Sequence, residues 1–325
     1  MTATLDPLPR TLLSAPRPVR WHRPLLGFAA LMLVFSVFAL VVRFIDPVEV
    51  TGLNQWDKPL KFSLSMAIYA VTWSWLIGQL ERFRRVARVA GTVIVVTLIA
   101  EMVVLIGAAA LGTTSHFNVS TPAHAAAWGV MGAAISVLWI ATLVAALLLF
   151  FNHLGDSARA VAIRSGAALS LVGLGLGYLM TGPTSAQLAD PQGIVGAHTV
   201  GLADGGPGLP ILGWSTSGGD LRIPHFVGMH ALQAIPLALI AMELLSRRVL
   251  VLRDVTVRTG LVWVAAASYA GFMALVTWQA LRGESIVSPG VETLTASIAL
   301  MIAALLAGVA VVVVGRARIV AQVRR

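Results

Sequence analysis

The side chains that could do chemistry are densest in residues 218–236, where a Gly-rich loop runs into a strongly apolar segment. Ionisable and polar groups inside such a segment are costly, and they mark a functional site by default. On one helix His230 lies about 140° around the axis from His225, so the two imidazoles are poor ligands for a single ion and need partners from other helices. The polar residues of this stretch are Asp220, Arg222, His225, His230 and Gln233.

Partners for this stretch are expected near the ends of other apolar segments, at a similar depth in the membrane. Lys58, Lys61 and Arg282 lie there, and together with Arg222 these cations favour an anionic or carbonyl-bearing ligand. We therefore predict a polar, cation- and His-rich ligand site in one half of a helix bundle. The alternative is that the groups only anchor helix ends in loose ion pairs. The further ligand-binding side chains predicted are Lys58, Lys61, His116, Asn118, Gln279 and Arg282.

Glu101 lies in the middle of a long apolar segment. A carboxylate is expensive there unless it is protonated or paired with a basic or polar neighbour. We therefore expect Glu101, together with His230, to handle protons. The alternative is a hydrogen bond from Glu101 that only joins two helices.

Histidines from different segments could instead hold a haem or a divalent metal ion, because neutral imidazole is a ligand for both. Under this alternative the ligands are His225, His230, His116 and His124. The absence of cysteine excludes thiolate ligands and disulfides. The sequence also lacks the H-E-x-x-H and Walker A motifs, and with no catalytic motif recognised a non-enzymatic role is favoured.

Membrane-spanning helices must position these side chains. Of the 325 residues 58% are hydrophobic and only 11% are charged, whereas about a quarter are charged in soluble domains. Apolar runs of about 20 residues, enough to cross a bilayer, recur along the whole chain. We predict an all-α, polytopic membrane helix bundle with eight transmembrane helices at residues 25–44, 59–80, 89–111, 123–151, 162–181, 224–245, 261–281 and 293–314.

Charge distribution predicts the orientation of the bundle. The two tails and every second loop hold 18 of the 23 Lys and Arg residues, and basic residues concentrate in cytoplasmic segments. Both termini are therefore expected in the cytoplasm, and the ligand site in the extracytoplasmic half. The basic residues are spread over five short segments, which excludes a nucleic-acid-binding patch despite the net charge of +9. The expected location is the plasma or inner membrane of a cell.

The chain is expected to divide into a disordered basic tail at 1–24, a transmembrane bundle at 25–315 and a basic tail at 316–325. Residues 182–223 form a long loop that is rich in Gly and Pro yet nearly uncharged. Long loops with apolar content are typically lids or binding loops, so an extracytoplasmic lid is predicted.

The two halves of the chain share a short pattern. Asp, a base, Pro, a second base and Phe occur in this order at residues 57–62, where the second span begins, and at 220–226, where the sixth begins. The pattern favours a parallel repeat of four plus four spans. The matches are short, and coincidence is the alternative.

Three functions follow from these observations. The favoured one is a permease- or receptor-like membrane protein that binds a small anionic ligand beside these cations, with a link to protons. The second is a haem- or metal-binding redox protein or enzyme with His ligands from different helices. The third is a structural or assembly subunit in which the polar groups only pack helices together.

Overall fold

The computed structural model describes residues 19–323 and is all-α, with 71% of residues in helices. In that part of the chain seven helices are long and apolar enough to cross a membrane, and a bent pair of shorter helices supplies an eighth span when counted as one. The predicted helical, multi-pass architecture is confirmed at this level. The predicted tail at 1–24 lies mostly outside the described residues.

The helices agree with the predicted spans to within a few residues at most ends. A 3₁₀ turn at Gly177–Met180 continues the fifth span, and the last helix runs through Val323, past the predicted end of the bundle at residue 315. The spans are α1 (Arg23–Ile45), α2 (Asp57–Gln79), α3 (Arg84–Ala110), α4 (Pro122–Phe150), α5 (Ser157–Leu176), the pair α7 (Arg222–Met229) and α8 (Ala231–Leu245), α9 (Val255–Leu281) and α10 (Val291–Val323).

The bundle is built from neighbouring helix pairs. α1 packs along α2 and α3 along α4, while α5 packs against α7, α8 and α9, and α9 packs against α10. Leu25, Trp73, Ile94 and Leu149 are fully buried in the main core. The outer faces of the helices remain apolar and exposed, above all on α10. Such faces suit a lipid environment, because lipid tails are as apolar as leucine side chains.

The sixth span is broken at His230, where α7 and α8 meet at an angle of 46°. Pro236 lies inside α8 and lacks the N–H that would bond the preceding turn, so the helix is weakened just before it. α7 is held against α5 where the backbones of Gly228 and Gly173 meet, a contact that a Cβ on either residue would block. The bend of the sixth span thus lies at His230, several residues before Pro236.

The loop between the fifth and sixth spans is folded. It contains α6 (Ser185–Ala189), with its first turn closed by a capping box. Strands β3 (Thr199–Val200) and β4 (Gly219–Asp220) pair antiparallel at its far end, and a bridge joins Ile194 to Asn118 in the loop after α3. A second short pair, β1 (Glu49–Val50) and β2 (Leu53–Asn54), lies in the loop before α2.

Candidate functional site

A cavity of about 1330 Å³ opens at the end of the bundle where these loops lie. Its walls are the first turns of α2 and α7, the last turns of α3, the first half of α4, and the folded loop between α5 and α7. Six of the predicted site residues line it, namely Lys58, Lys61, Glu101, His116, Arg222 and His225.

Lys58 and Lys61 are the only two lysines of the chain, against 21 arginines. The Lys61 ammonium donates to the backbone oxygen of Leu212 at 2.7 Å, and Lys58 Nζ lies 3.0 Å from His116 Nδ1. Within the described part of the chain, neither ammonium forms an ion pair with a carboxylate. Each ammonium has one hydrogen-bond partner that is not a carboxylate.

His116 links Lys58 to Glu101. The ammonium of Lys58 can only donate, so His116 Nδ1 accepts and the ring carries its proton on Nε2. That nitrogen lies 3.6 Å from Glu101 Oε1. Glu101 Oε2 is buried and finds no hydrogen-bond partner among residues 19–323. A chain of polar groups thus runs from the lysine to a carboxylate with one unsatisfied oxygen.

The environment keeps His116 neutral. The residue lies in the loop between α3 and α4, and burial lowers its pKa well below the ordinary value of 6.5. The positive charge of Lys58 lowers the pKa further, as do the neighbouring rings of His198 and His225. The ring packs against Phe62 and Trp128, with centroid distances of 5.8 and 5.5 Å.

Arg222 is held in place by a buried carboxylate. Its Nε and a terminal nitrogen bond the two oxygens of Asp220 at 2.9 and 2.5 Å. Asp220 is only 1% exposed and also accepts the backbone N–H of Ser215. The same terminal nitrogen of Arg222 also donates to the Gly213 carbonyl. The guanidinium lines the cavity, but its charge is largely balanced by Asp220.

His225 presents one nitrogen to a structural partner. Its Nδ1 lies 2.8 Å from the backbone oxygen of Gly173, which can only accept, so the proton is on Nδ1. Nε2 is then left as an acceptor in a side chain that lines the cavity. Gly177 provides the space for the ring, since a Cβ there would lie 3.1 Å from it.

Sequence reasoning missed a further pair in the folded loop. His198 Nδ1 lies 2.6 Å from Asp204 Oδ2, and both residues line the cavity. Burial lowers the pKa of His198 despite its hydrogen bond to Asp204. Burial raises the pKa of Asp204, but hydrogen bonds from His198 and Thr199 outweigh this effect and the net shift is downward. A neutral His–carboxylate pair results, and its sequence signal, a His six residues before an Asp, is too weak to find alone.

Several predicted site residues do not line the cavity. His230 is hydrogen-bonded to Ser65 and Gln233, and Gln233 is hydrogen-bonded to Thr72. The side chains of His230 and Gln233 therefore join α8 to α2, next to the ring of Phe226. Among the described residues, Glu101 and His230 are therefore not hydrogen-bonded to each other. The ionisable neighbour of Glu101 is His116.

The remaining predicted residues serve loops and helix ends. Gln279 is buried and donates to the Ser285 carbonyl. Arg282 is paired with Glu284 and Glu292 and lies against Trp278. Asn118 is buried and organises a turn with Thr113 and Ser120, and His124 bonds Ser120 at the start of α4. None of these four residues lines the cavity, because their side chains contact the loops at the end of α9 and before α4.

The four histidines of the metal alternative are separated by these partners. Across residues 19–323 no group of three or more His, Cys, Asp or Glu side chains is arranged to hold a metal ion. His225 uses Nδ1 on a backbone carbonyl, and His230 uses both ring nitrogens on protein side chains. The geometry gives no support to a multi-histidine metal site.

Comparisons with protein-family models, with curated proteins and with solved structures find no match to this chain.

Proposed function

We propose that this protein is a membrane permease for a small anion, which binds in the cavity beside Lys58 and Lys61. One observation carries the proposal: the only two lysines of the chain line the same cavity and have no carboxylate partner in the described residues. A lysine ammonium is strongly hydrated, so burying two with no carboxylate in direct contact is costly until an anion enters. The cavity is therefore built to attract negative charge.

The expected affinity follows from the donors. A hydrogen bond to a charged group contributes about 1.5–3 kcal/mol. Two such bonds, one from each ammonium, amount to about 3–6 kcal/mol, which corresponds to a Kd between about 6 mM and about 40 μM. Arg222 and His198 add positive or polar surface at the same level of the cavity, and the aromatic rings of Phe62 and Trp214 complete the wall.

Anion binding in this cavity is linked to protonation of Glu101. Glu101 is buried with one unsatisfied oxygen and lies next to the neutral ring of His116. An anion entering near an ionised Glu101 would be repelled, whereas a protonated Glu101 would not repel it. Proton uptake by Glu101 and anion binding beside Lys58 are therefore coupled. This replaces the role that the sequence suggested for His230.

We further propose that the cavity faces the outside of the cell or inner membrane, since 18 of the 23 basic residues lie in the tails and loops of the opposite end. A parallel repeat of four plus four spans is supported by the packing order, because α1 on α2 and α3 on α4 correspond to α5 on α7–α8 and α9 on α10. Under this proposal the two repeats meet at the cavity.

The test is ligand-dependent thermal unfolding of the purified protein in nanodiscs of zwitterionic lipid. Inorganic phosphate, acetate and succinate at millimolar concentrations are the probes, and tetramethylammonium chloride is the cationic control. At least one anion should raise the Tm of the natural protein and not that of Lys58→Met/Lys61→Met. Arg282→Gln, which removes an exposed cation at the same end of the bundle, should keep the response.

Two results would overturn the proposal. One is an equal rise in Tm for the natural protein and the double lysine variant. The other is a rise with tetramethylammonium that matches the rise with the anions, which would remove any role for positive charge. If a response is found, uptake of the same anion into proteoliposomes under an imposed pH gradient distinguishes a permease from a receptor. Uptake that ignores the gradient would refute the link to protons.

A further inference from the structure

The cavity has two parts of different chemistry. The charged and titratable side chains lie in the part next to the loops, and the innermost of them is Glu101. Deeper in the bundle the lining is apolar, and the polar groups there already have protein partners: Tyr69 bonds Thr142 at 2.5 Å, and Ser65 bonds His230 at 3.2 Å. Apolar side chains that line the cavity at the level of Glu101 or deeper include Met66, Leu98, Met131 and Leu138.

The cavity reaches far into the bundle. Tyr69 and Leu98, which line its inner end, each lie twelve residues along a helix from the loop end, which corresponds to about 18 Å. The cavity volume of about 1330 Å³ exceeds the range of about 300–1,000 Å³ that is usual for sites of drug-sized ligands. A small hydrophilic anion alone would leave most of this space unfilled.

A seam in the cavity wall runs between α4 and the 3₁₀ turn after α5. Tyr178 of this turn lines the cavity and is 45% exposed. Its hydroxyl donates to Ser136 of α4 at 2.9 Å. Gly129 and Gly132 of α4 also line the cavity, and among the described residues no atom lies within 4 Å of a Cβ built on either. One hydrogen-bonded side-chain pair thus joins α4 to the 3₁₀ turn across this seam.

From this geometry we infer that the ligand is an amphiphilic anion, with a carboxylate or phosphate headgroup beside Lys58 and Lys61 and a hydrocarbon tail in the apolar part. It enters from the bilayer through the seam closed by Ser136 and Tyr178. This inference rests on the proposed function and narrows it. Burying a tail contributes about 25 cal/mol per Å² of apolar surface, so the tail adds affinity that the headgroup cannot supply.

The first experiment compares dodecyl phosphate with inorganic phosphate as probes of thermal stability in nanodiscs, with dodecyltrimethylammonium as a control of equal tail length. The natural protein should respond to dodecyl phosphate at a concentration at least ten-fold lower than to inorganic phosphate. Gly132→Leu fills the apolar part without a clash and should abolish this advantage while the response to inorganic phosphate remains. Gly308→Leu, a matched change on α10 with open space around it, should keep both responses.

The outcomes separate this inference from the proposed function. Equal responses to dodecyl phosphate and inorganic phosphate would overturn the amphiphile and leave the anion site standing. A response to dodecyl phosphate that persists in Gly132→Leu would likewise overturn the tail site. A response to dodecyltrimethylammonium as large as that to dodecyl phosphate would overturn the headgroup assignment. No response to any anion would overturn the proposed function as well.

The second experiment tests the route. The chain has no cysteine, so Ser136→Cys/Tyr178→Cys introduces the only two thiols, and a bis-maleimide can join them across the seam. The joined protein should bind dodecyl phosphate more slowly than the same variant without the reagent, while inorganic phosphate should bind at an unchanged rate. Equal slowing of both probes, or slowing of neither, would overturn entry through this seam.

Discussion

The first turns of α2 and α7 carry the same types of residue and use them differently. Each begins beside a buried Asp, Asp57 at 2% exposure and Asp220 at 1%. Asp57 is paired with Arg43 from the preceding helix, so the two bases of its own segment are left for the cavity. Asp220 is paired with Arg222 of its own segment, so the base there is already neutralised.

The second bases differ in the same way. On α2 it is Lys61, which makes one hydrogen bond to a loop carbonyl. On α7 it is His225, which is fixed by the Gly173 carbonyl at the close contact between α5 and α7. The comparison indicates that a pattern of Asp, base, Pro, base and Phe keeps its bases unpaired with carboxylates only where another segment supplies the Arg that balances the Asp. The α7 side shapes the cavity, and the α2 side supplies its charge.

The largest effect should follow from breaking the ion pair of the α7 side. Arg222→Met leaves Asp220 buried without its counter-charge, and removing one partner of a buried pair typically costs about 3–5 kcal/mol. We expect a pronounced fall in Tm or in the yield of folded protein. Thermal unfolding in the absence of ligand measures this effect. A Tm within a degree of that of the natural protein would show that Arg222 is not structural.

The α2 side should respond in the opposite way. Lys61→Met removes a buried cation that has no carboxylate partner in the described region, so folding stability in the absence of ligand should not fall. Anion affinity should fall about ten-fold or more, because a hydrogen bond to a charged group contributes about 1.5–3 kcal/mol. Titrations with inorganic phosphate and dodecyl phosphate measure the change. Unchanged affinity together with a large fall in Tm would reverse the assigned roles of the two sides.

Folding stability should depend on pH through the α2 side, because His116 contacts Lys58 there. The folded protein holds the pKa of His116 well below 6.5. Below pH 6.5 the imidazole of residue 116 therefore binds a proton in the unfolded chain but not in the folded protein. Stability should therefore fall as the pH drops below about 6.5, by at most about 1.4 kcal/mol per pH unit for this one group. His116→Asn should flatten the profile, whereas a change at the exposed His153 of the opposite end should not. Equal slopes in both variants would contradict the burial of His116 as the cause.

The smallest effect is expected at a cation that shares the end of the bundle but not the cavity. Arg282 is occupied by Glu284 and Glu292 on the surface, so Arg282→Gln should leave anion affinity unchanged. Titration of this variant beside Lys61→Met makes the contrast quantitative. A loss of affinity in Arg282→Gln as large as in Lys61→Met would mean that charge near the mouth, and not the α2 side itself, attracts the anion.

The sequence predicted the spans well because a bilayer demands long apolar runs, and these are visible without knowledge of packing. It also identified the polar residues of α2 and α7, since their positions at helix ends follow from the spans. It could not distinguish Lys61 from Arg282, because the rotation of a helix and the partners of a loop depend on tertiary packing. It placed Gln279 in the site for the same reason.

Two further features depended on structure beyond the spans. The break at His230 turns that side chain towards α2 and away from Glu101, and an unbroken helix was assumed in the prediction. His198 and Asp204 meet because the long loop folds back over the cavity, where its turns are set by many glycines and not by a periodic pattern. Predicting the loop as a lid gave its place in the chain but not its contacts.

An anion that occupies the space beside the only two lysines of the chain should shield both from chemical modification. An amine-reactive acylating reagent is applied to the protein in nanodiscs, and mass spectrometry follows the modification of Lys58 and Lys61 separately. Saturating dodecyl phosphate should slow modification of both lysines several-fold, and dodecyltrimethylammonium should not. Identical rates with and without dodecyl phosphate would contradict anion binding beside the two lysines.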